Sequence, residues 1–295
     1  MRPTRFAAGN EVMPPGAAGA KVTLMAPSDR DLLLAARAGD ARSVEALLSR
    51  HEQQIFRFGL RMCGNEDEAR DVLQETLLAA FRGLHEFRGD AQLSTWLYQI
   101  ARSFCLKSRR RGAGEPEGMV PLDKREAESV PMSDEAPDAR AHARQMGELL
   151  QAAIMSLPDS QREIIILRDV EGLPAEEAAQ VVGIEVGALK SRLHRARAEL
   201  RGRLVAVLGE ESEVGGESPC PELAEELTGY AAEEIDQATC TRIEEHLKRC
   251  PRCAGACAAL QRTVSFCRQI PGGEVPAPVR AAVRAALLAA SRAGG

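Results

Sequence analysis

The sequence predicts an all-α protein made of two helical modules, a flexible acidic linker between them and a small helical cysteine-rich domain at the C-terminal end. Three observations carry that prediction. Alanine, leucine, glutamate and arginine dominate the 295 residues, and aromatic residues make up only 3%, a composition that favours helices. No long alternating run of branched or aromatic side chains supports a half-buried strand. Apolar residues recur instead at the three- and four-residue spacing of a single helix face.

Charge and cysteine usage narrow the function. The net charge of −5 is unevenly placed: 107–111 and 185–203 are basic, whereas 210–245 holds twelve acidic residues and one arginine. No apolar run reaches the roughly 18 to 20 residues of a membrane span. The N-terminus lacks the order of an export signal, so a cytoplasmic protein is expected. Eight cysteines in a reducing compartment point to metal or redox chemistry rather than a disulfide framework.

Residues 1–28, rich in Gly, Ala and Pro, read as a disordered arm. Helical patterning opens at Asp29 and continues through Val44, Leu47, Leu48, Ile55 and Leu60, giving a first module over 29–112. Within it, Val72, Leu73, Thr76, Leu77, Ala80 and Phe81 share one face of a helix over 71–81, leaving Asp71, Gln74, Glu75 and Leu78 outward. The loop 87–94 turns at Gly89. Leu93, Trp96, Leu97, Ile100, Ala101 and Phe104 then form a second stripe, which places Thr95, Tyr98, Gln99, Arg102 and Arg109 on other faces. Basic 107–111 closes the helix.

Residues 113–140 carry four prolines and eight acidic against three basic residues, the composition of a flexible linker. The second module, 141–208, opens with Leu149, Leu150, Ala153, Ile154 and Leu157 and includes the run 164–167. Pro174 suits the first turn of a short helix and Gly183 its left-handed exit. A long helix over 185–203 follows, with Val186, Leu189, Leu193, Ala196 and Leu200 as its buried stripe. Lys190, Ser191, Arg192, His194, Arg195 and Arg197 point elsewhere. This is the division of labour in a helix-turn-helix, where polar side chains reach phosphates and base edges. Arg192 and Arg195 suit bidentate contact with guanine or phosphate.

Taken together, the segments 67–76 (DEARDVLQET), 87–90 (FRGD), 94–102 (STWLYQIAR) and 189–197 (LKSRLHRAR) resemble regions 2 and 4 of the extracytoplasmic-function (ECF) sigma factors. The resemblance covers 29–112 and 141–208. It implies a non-enzymatic protein whose partners are core RNA polymerase and promoter DNA. Asp71, Gln74, Glu75 and Leu78 would dock on the polymerase clamp. Arg88, Gly89, Asp90 and Ser94 would hold flipped bases of the minus-ten element, and the helix with Lys190, Ser191, Arg192, His194 and Arg195 would read the minus-thirty-five element. An unstacked base needs a pocket and a cationic strand track, which Tyr98, Arg102 and Lys107 supply. Trp96 lies on the apolar stripe, so core packing competes with base stacking there. Ser103 and Ala188 depart from the asparagine and threonine frequent in the family, so promoter preference does not carry over.

In the segment 219–269, His246 and Cys250 stand one helical turn apart, and Pro251 stops the helix so that Cys253 can fold back. A closed tetrahedral zinc site needs a fourth ligand. Resemblance to the zinc-binding anti-sigma domain, with its pattern of cysteine, spacer and His-x3-Cys-x2-Cys, assigns that place to Cys220. Cys240, Cys257 and Cys267 are extra; each suits packing, or together they offer thiolate for Cu(I), Zn or Cd. The combination resembles sigma factors of the CorE-like group, which respond to metals. Acidic 210–245 is expected to pack intramolecularly on the basic modules. The residues 270–295 form a tail with an alanine-rich helix over 279–291. Two other readings compete: a helix-turn-helix regulator with a structural zinc that acts without polymerase, and a thiol redox protein using Cys250 and Cys253, which lacks a βαβ pattern around the motif.

Overall fold

A computed structural model describes residues 27–89, 91–112, 137–208, 219–231, 235–269 and 273–293. Residues 1–26 of the predicted N-terminal arm (1–28), residues 113–136 of the predicted linker (113–140) and Asp90 lie outside these residues. Every regular element among the described residues is helical, and no helix there is long and apolar enough to cross a membrane.

The first module contains α1 (Asp29–Arg37), α2 (Ala41–Ser49), α3 (Glu52–Cys63), α4 (Glu66–Gly83) and α5 (Leu93–Gly112). Ser28 and Asp31 form a reciprocal capping box at the start of α1, which satisfies two orphan N–H groups. Asn65 accepts from Glu68 N at 2.8 Å to start α4, and Glu66, Asp67 and Glu68 in the first turn complement the helix dipole. The antiparallel pair α3 and α4 crosses closely at Gly59, where a Cβ would stand 3.3 Å from the Ala69 Cα. Ile55, Phe56, Phe58, Met62, Leu73, Leu77, Leu97 and Ala101 fill the core.

The second module consists of α6 (Pro137–Met155), α7 (Asp159–Ile165), α8 (Ala175–Val182) and α9 (Val186–Leu208), with a π-helical turn over Ile166–Val170 continuing α7. The apolar run 164–167 is buried on every side, as a helix at the centre of a core must be. Gly183 takes the left-handed conformation (φ 76°) and its N–H closes α8 on Ala179 O. In α9, Leu189, Leu193, Ala196, Leu200 and Leu204 are buried, each leucine stabilising the module by about 1.5–3 kcal/mol.

Three helices form the small C-terminal domain: α10 (Ala224–Ala231) after a 3₁₀ turn Pro221–Leu223, α11 (Gln237–Leu247) and α12 (Pro251–Gln269). Among the described residues, its own buried core is built on Leu227, Ile243, Cys253 and Cys257, with Leu223, Tyr230, Ile235 and Leu247 packed against them. Beyond it, α12 packs on α6, α9 and the π-helical turn, and α10 packs on α9. The tail forms α13 (Ala277–Ala293), which returns to the first module and lies along α2 and α4. Val279, Val283 and Leu287 bury one face of α13.

Two predicted orientations are corrected. Thr95 and Tyr98, placed off the apolar stripe of α5 by periodicity, are buried at 0% and 3% exposure, because the second module covers that face. Arg197, grouped with the outward basic residues of α9, is 1% exposed and forms a bidentate ion pair with the equally buried Asp169. A guanidinium with its carboxylate inside the module can be buried where an unpaired one could not.

Candidate metal centre and nucleic-acid surfaces

The donor atoms of Cys220, His246, Cys250 and Cys253 lie within 4.8 Å of one another. Local sequence explains the convergence. Cys220 precedes Pro221 of the 3₁₀ turn, His246 sits in the last turn of α11, and Pro251 opens α12 at a new angle. The backbone N–H of Cys220 donates to Cys253 Sγ at 3.3 Å. A backbone N–H bond from Cys253 brings the Cys250 thiol down to about 7, while the bond to Cys253 pushes Cys220 up to about 11. His246 Nε2 is buried without a hydrogen-bond partner. Three sulfurs and an orphaned imidazole nitrogen, none more than 4.8 Å from another, fit a four-coordinate metal.

The extra cysteines do not join this group. Cys240 donates to Glu244 Oε1 at 3.5 Å, one turn along α11. Cys257 is buried beside Leu227 and Ile243. Cys267 belongs to the large core, where burial raises its thiol far above the ordinary value.

On α9, Lys190 and Arg195 are exposed, whereas Ser191, Arg192 and His194 are half-buried. The C-terminal domain explains part of this. His194 Nδ1 stands 2.6 Å from Thr228 Oγ1 of α10, and Arg197 donates to Thr228 O at 3.0 Å. On α4, Asp71 and Glu75 are exposed and Gln74 and Leu78 half-buried.

The predicted single-strand surface is divided. Arg88, Gly89 (φ 84°) and Lys107 are exposed, and Ser94 is half-buried; Asp90 is among the residues not described. Tyr98 and Arg102 instead face the second module. Tyr98 packs edge-on to Phe58, with centroids 5.3 Å apart, and donates its hydroxyl to Glu171 Oε2 at 3.0 Å. Burial, then the Glu171 carboxylate, raises that hydroxyl well above its usual range. Arg102 donates twice to Glu163, at 2.7 and 3.1 Å. Trp96 packs on Phe87, 5.1 Å between centroids.

These contacts belong to a seam that periodicity did not reveal. Glu171 also receives Arg61 at 2.7 Å and Arg57 at 3.5 Å. Thr95 donates to Glu177 at 2.9 Å, Gln99 to Gln180 O at 2.9 Å, and Arg109 pairs with Asp159 at 2.6 Å. Carboxylates of α7 and α8, and of the turns beside them, thus occupy the face of α5 expected to meet DNA. One signal was present: Glu163 abuts the apolar run 164–167 and Asp169 follows it closely, and carboxylates there need cationic partners.

Comparison with known proteins places the modules. The sigma-70 region 2 family matches residues 47–114, the sigma-70 region 4 family residues 147–200, and a zinc-finger family residues 220–254. The ECF RNA polymerase sigma factor SigM of Mycobacterium tuberculosis is 34% identical over 182 residues, covering 61% of this chain and 86% of that protein. The RNA polymerase sigma-H factor of Pseudomonas aeruginosa is 30% identical over 186 residues, covering 62% and 96%. Among solved structures, CnrH in complex with the cytosolic domain of CnrY matches 62% of this chain and 99% of its own, at 26% identity and a TM-score of 0.45. Because the two sigma regions occur in order and the relatives match over most of their length, the chain belongs to the ECF RNA polymerase sigma factors, with a metal-binding zinc-finger domain fused behind region 4.

Proposed function

We propose that the chain is a cytoplasmic promoter-recognition subunit of RNA polymerase, and that its own C-terminal domain holds it closed in a metal-dependent way. It acts by binding, not catalysis. Asp71, Gln74, Glu75 and Leu78 of α4 dock on the polymerase. Loop 87–94 and Lys107 take the unstacked strand, joined by Tyr98 and Arg102 once the seam that holds them against Glu171 and Glu163 has opened, and Lys190, Ser191, Arg192, His194 and Arg195 of α9 read duplex DNA.

One observation carries the regulatory part: the small domain that gathers four metal donors also grips α9 through Thr228. The buried core built on Leu227, Ile243, Cys253 and Cys257 is small and includes one of the metal donors, so metal binding there contributes folding free energy. Zinc suits the three thiolates and one imidazole. Cu(I) or Cd(II), drawn to the same soft ligands, would rearrange the site.

The test is run-off transcription with core polymerase on a promoter selected by this subunit. Zinc-loaded full-length protein is expected to be weakly active, and chelation or His246→Ala to raise activity toward that of a chain truncated after residue 208. Equal activity of loaded, stripped and truncated proteins overturns the proposal.

A further inference from the structure

Of the five cysteines outside the metal centre, Cys63 and Cys105 are the two that meet each other. Cys63 and Cys105 lie 42 residues apart in sequence, yet Cys63 Sγ donates to Cys105 Sγ at 3.6 Å. Cys63 is the last residue of α3 and half-buried, whereas Cys105, on α5, is fully buried. The hydrogen-bonded Cys63 sulfur, then burial, raises the Cys105 thiol well above its ordinary value, so it keeps its proton. Cys63 is therefore the sulfur an oxidant meets first, and Cys105 is positioned to resolve it.

We propose that this pair is a second thiol site, separate from the metal cluster, which a hydroperoxide converts to an α3–α5 disulfide that loosens the grip of region 4 on region 2. Cys63 Sγ, giving up its proton, attacks the terminal peroxide oxygen; the O–O bond breaks, the departing alkoxide takes that proton and leaves as the alcohol, and Cys63 becomes a sulfenic acid. Cys105 Sγ then attacks Cys63 Sγ. The S–S bond forms, the S–O bond breaks, and hydroxide departs as water with the Cys105 proton. Two thiols lose two electrons and one hydroperoxide becomes alcohol and water. Exchange with a dithiol reductant restores both thiols.

The position makes the bond consequential. Closing the sulfurs from 3.6 Å to the about 2.05 Å of a disulfide ties the end of α3 to the middle of α5, and the seam loosens where that tie shifts either helix. Next to Cys63, Met62 O accepts from Arg162 of α7 at 3.2 Å. At Gly64 a Cβ would stand 2.6 Å from Met155 Cε of α6, so this turn lies directly against region 4. One turn beyond Cys105, Arg109 pairs with Asp159. The sulfurs therefore sit beneath three of the contacts that hold the regions together.

The experiment uses full-length, zinc-loaded protein titrated with tert-butyl hydroperoxide, quenched by alkylation and mapped as unreduced peptides, with zinc release followed in parallel. A peptide linking Cys63 to Cys105, about 2 Da lighter than its two parts, is expected before zinc is lost. Amide exchange over 159–165 should rise on oxidation. Cys63→Ser should abolish both the linked peptide and the exchange change while retaining the metal. Zinc release at lower peroxide doses than the cross-link, complete alkylation of both thiols, or a cross-link without a change in exchange each overturns the proposal.

Discussion

Replacing Glu171 by glutamine tests whether the seam between the sigma regions is an ionic latch. The carboxylate is 2% exposed, and its main partner, the Arg61 guanidinium, is 7% exposed. It also accepts the Tyr98 hydroxyl at 3.0 Å. Breaking a buried ion pair by removing one partner costs about 3–5 kcal/mol. Glutamine keeps one acceptor oxygen, so the low end, about 3 kcal/mol, applies. Arg61 and Tyr98 belong to region 2 and Glu171 to region 4, so separation of the regions returns Arg61 to water. The penalty therefore falls on the closed arrangement rather than on either core, and about 3 kcal/mol shifts the closed-to-open equilibrium roughly a hundredfold. Hydrogen exchange should show α8 losing protection, and Trp96, the one tryptophan in the sequence, should change its emission. Unchanged exchange in α8, or a uniform loss of protection through the core of region 2, refutes the latch.

Other perturbations follow the same logic. Asp169→Asn strands the Arg197 guanidinium, 1% exposed, and should lower the urea stability of region 4 by about 3 kcal/mol, whereas joint replacement by Leu and Met should be close to neutral. Val283→Asp puts a charge in the face that α13 buries against region 2; it should detach α13 and raise the rate of limited proteolysis at 270–276 at least tenfold. Burial lowers the His51 pKa, with Asp29 at 3.3 Å opposing it. The folded state then binds fewer protons than the unfolded one below pH about 6.5, so this contribution is full above that pH and is lost as pH falls through the folded pKa. His51→Gln should flatten the slope of stability against pH in that window, as read by denaturant titration.

Much of this architecture was legible in the sequence because the information was local. Pro174 and Gly183 bracket α8, the stripe from Leu189 to Leu200 marks the buried face of α9, and His-x3-Cys-x2-Cys brings three donors together within two turns. Cys220 joins them from 26 residues away, and only resemblance to a family supplied it. Tyr98, Arg102 and Arg197 were misread for one shared reason. Periodicity assigns polar side chains to solvent, but partners from other helices, Glu171, Glu163 and Asp169, take them in. The docking of α13 was equally hidden, since an alanine-rich helix with Val279, Val283 and Leu287 on one face does not say which helices receive it.

The most direct test is the affinity of core RNA polymerase for three forms of the protein: full-length with zinc, full-length after chelation, and a chain ending at residue 208. If the C-terminal domain holds the sigma regions closed through its metal, the zinc-loaded form should bind at least tenfold more weakly than the truncated chain, and chelation should remove most of that difference. Equal affinities for all three forms contradict metal-held closure.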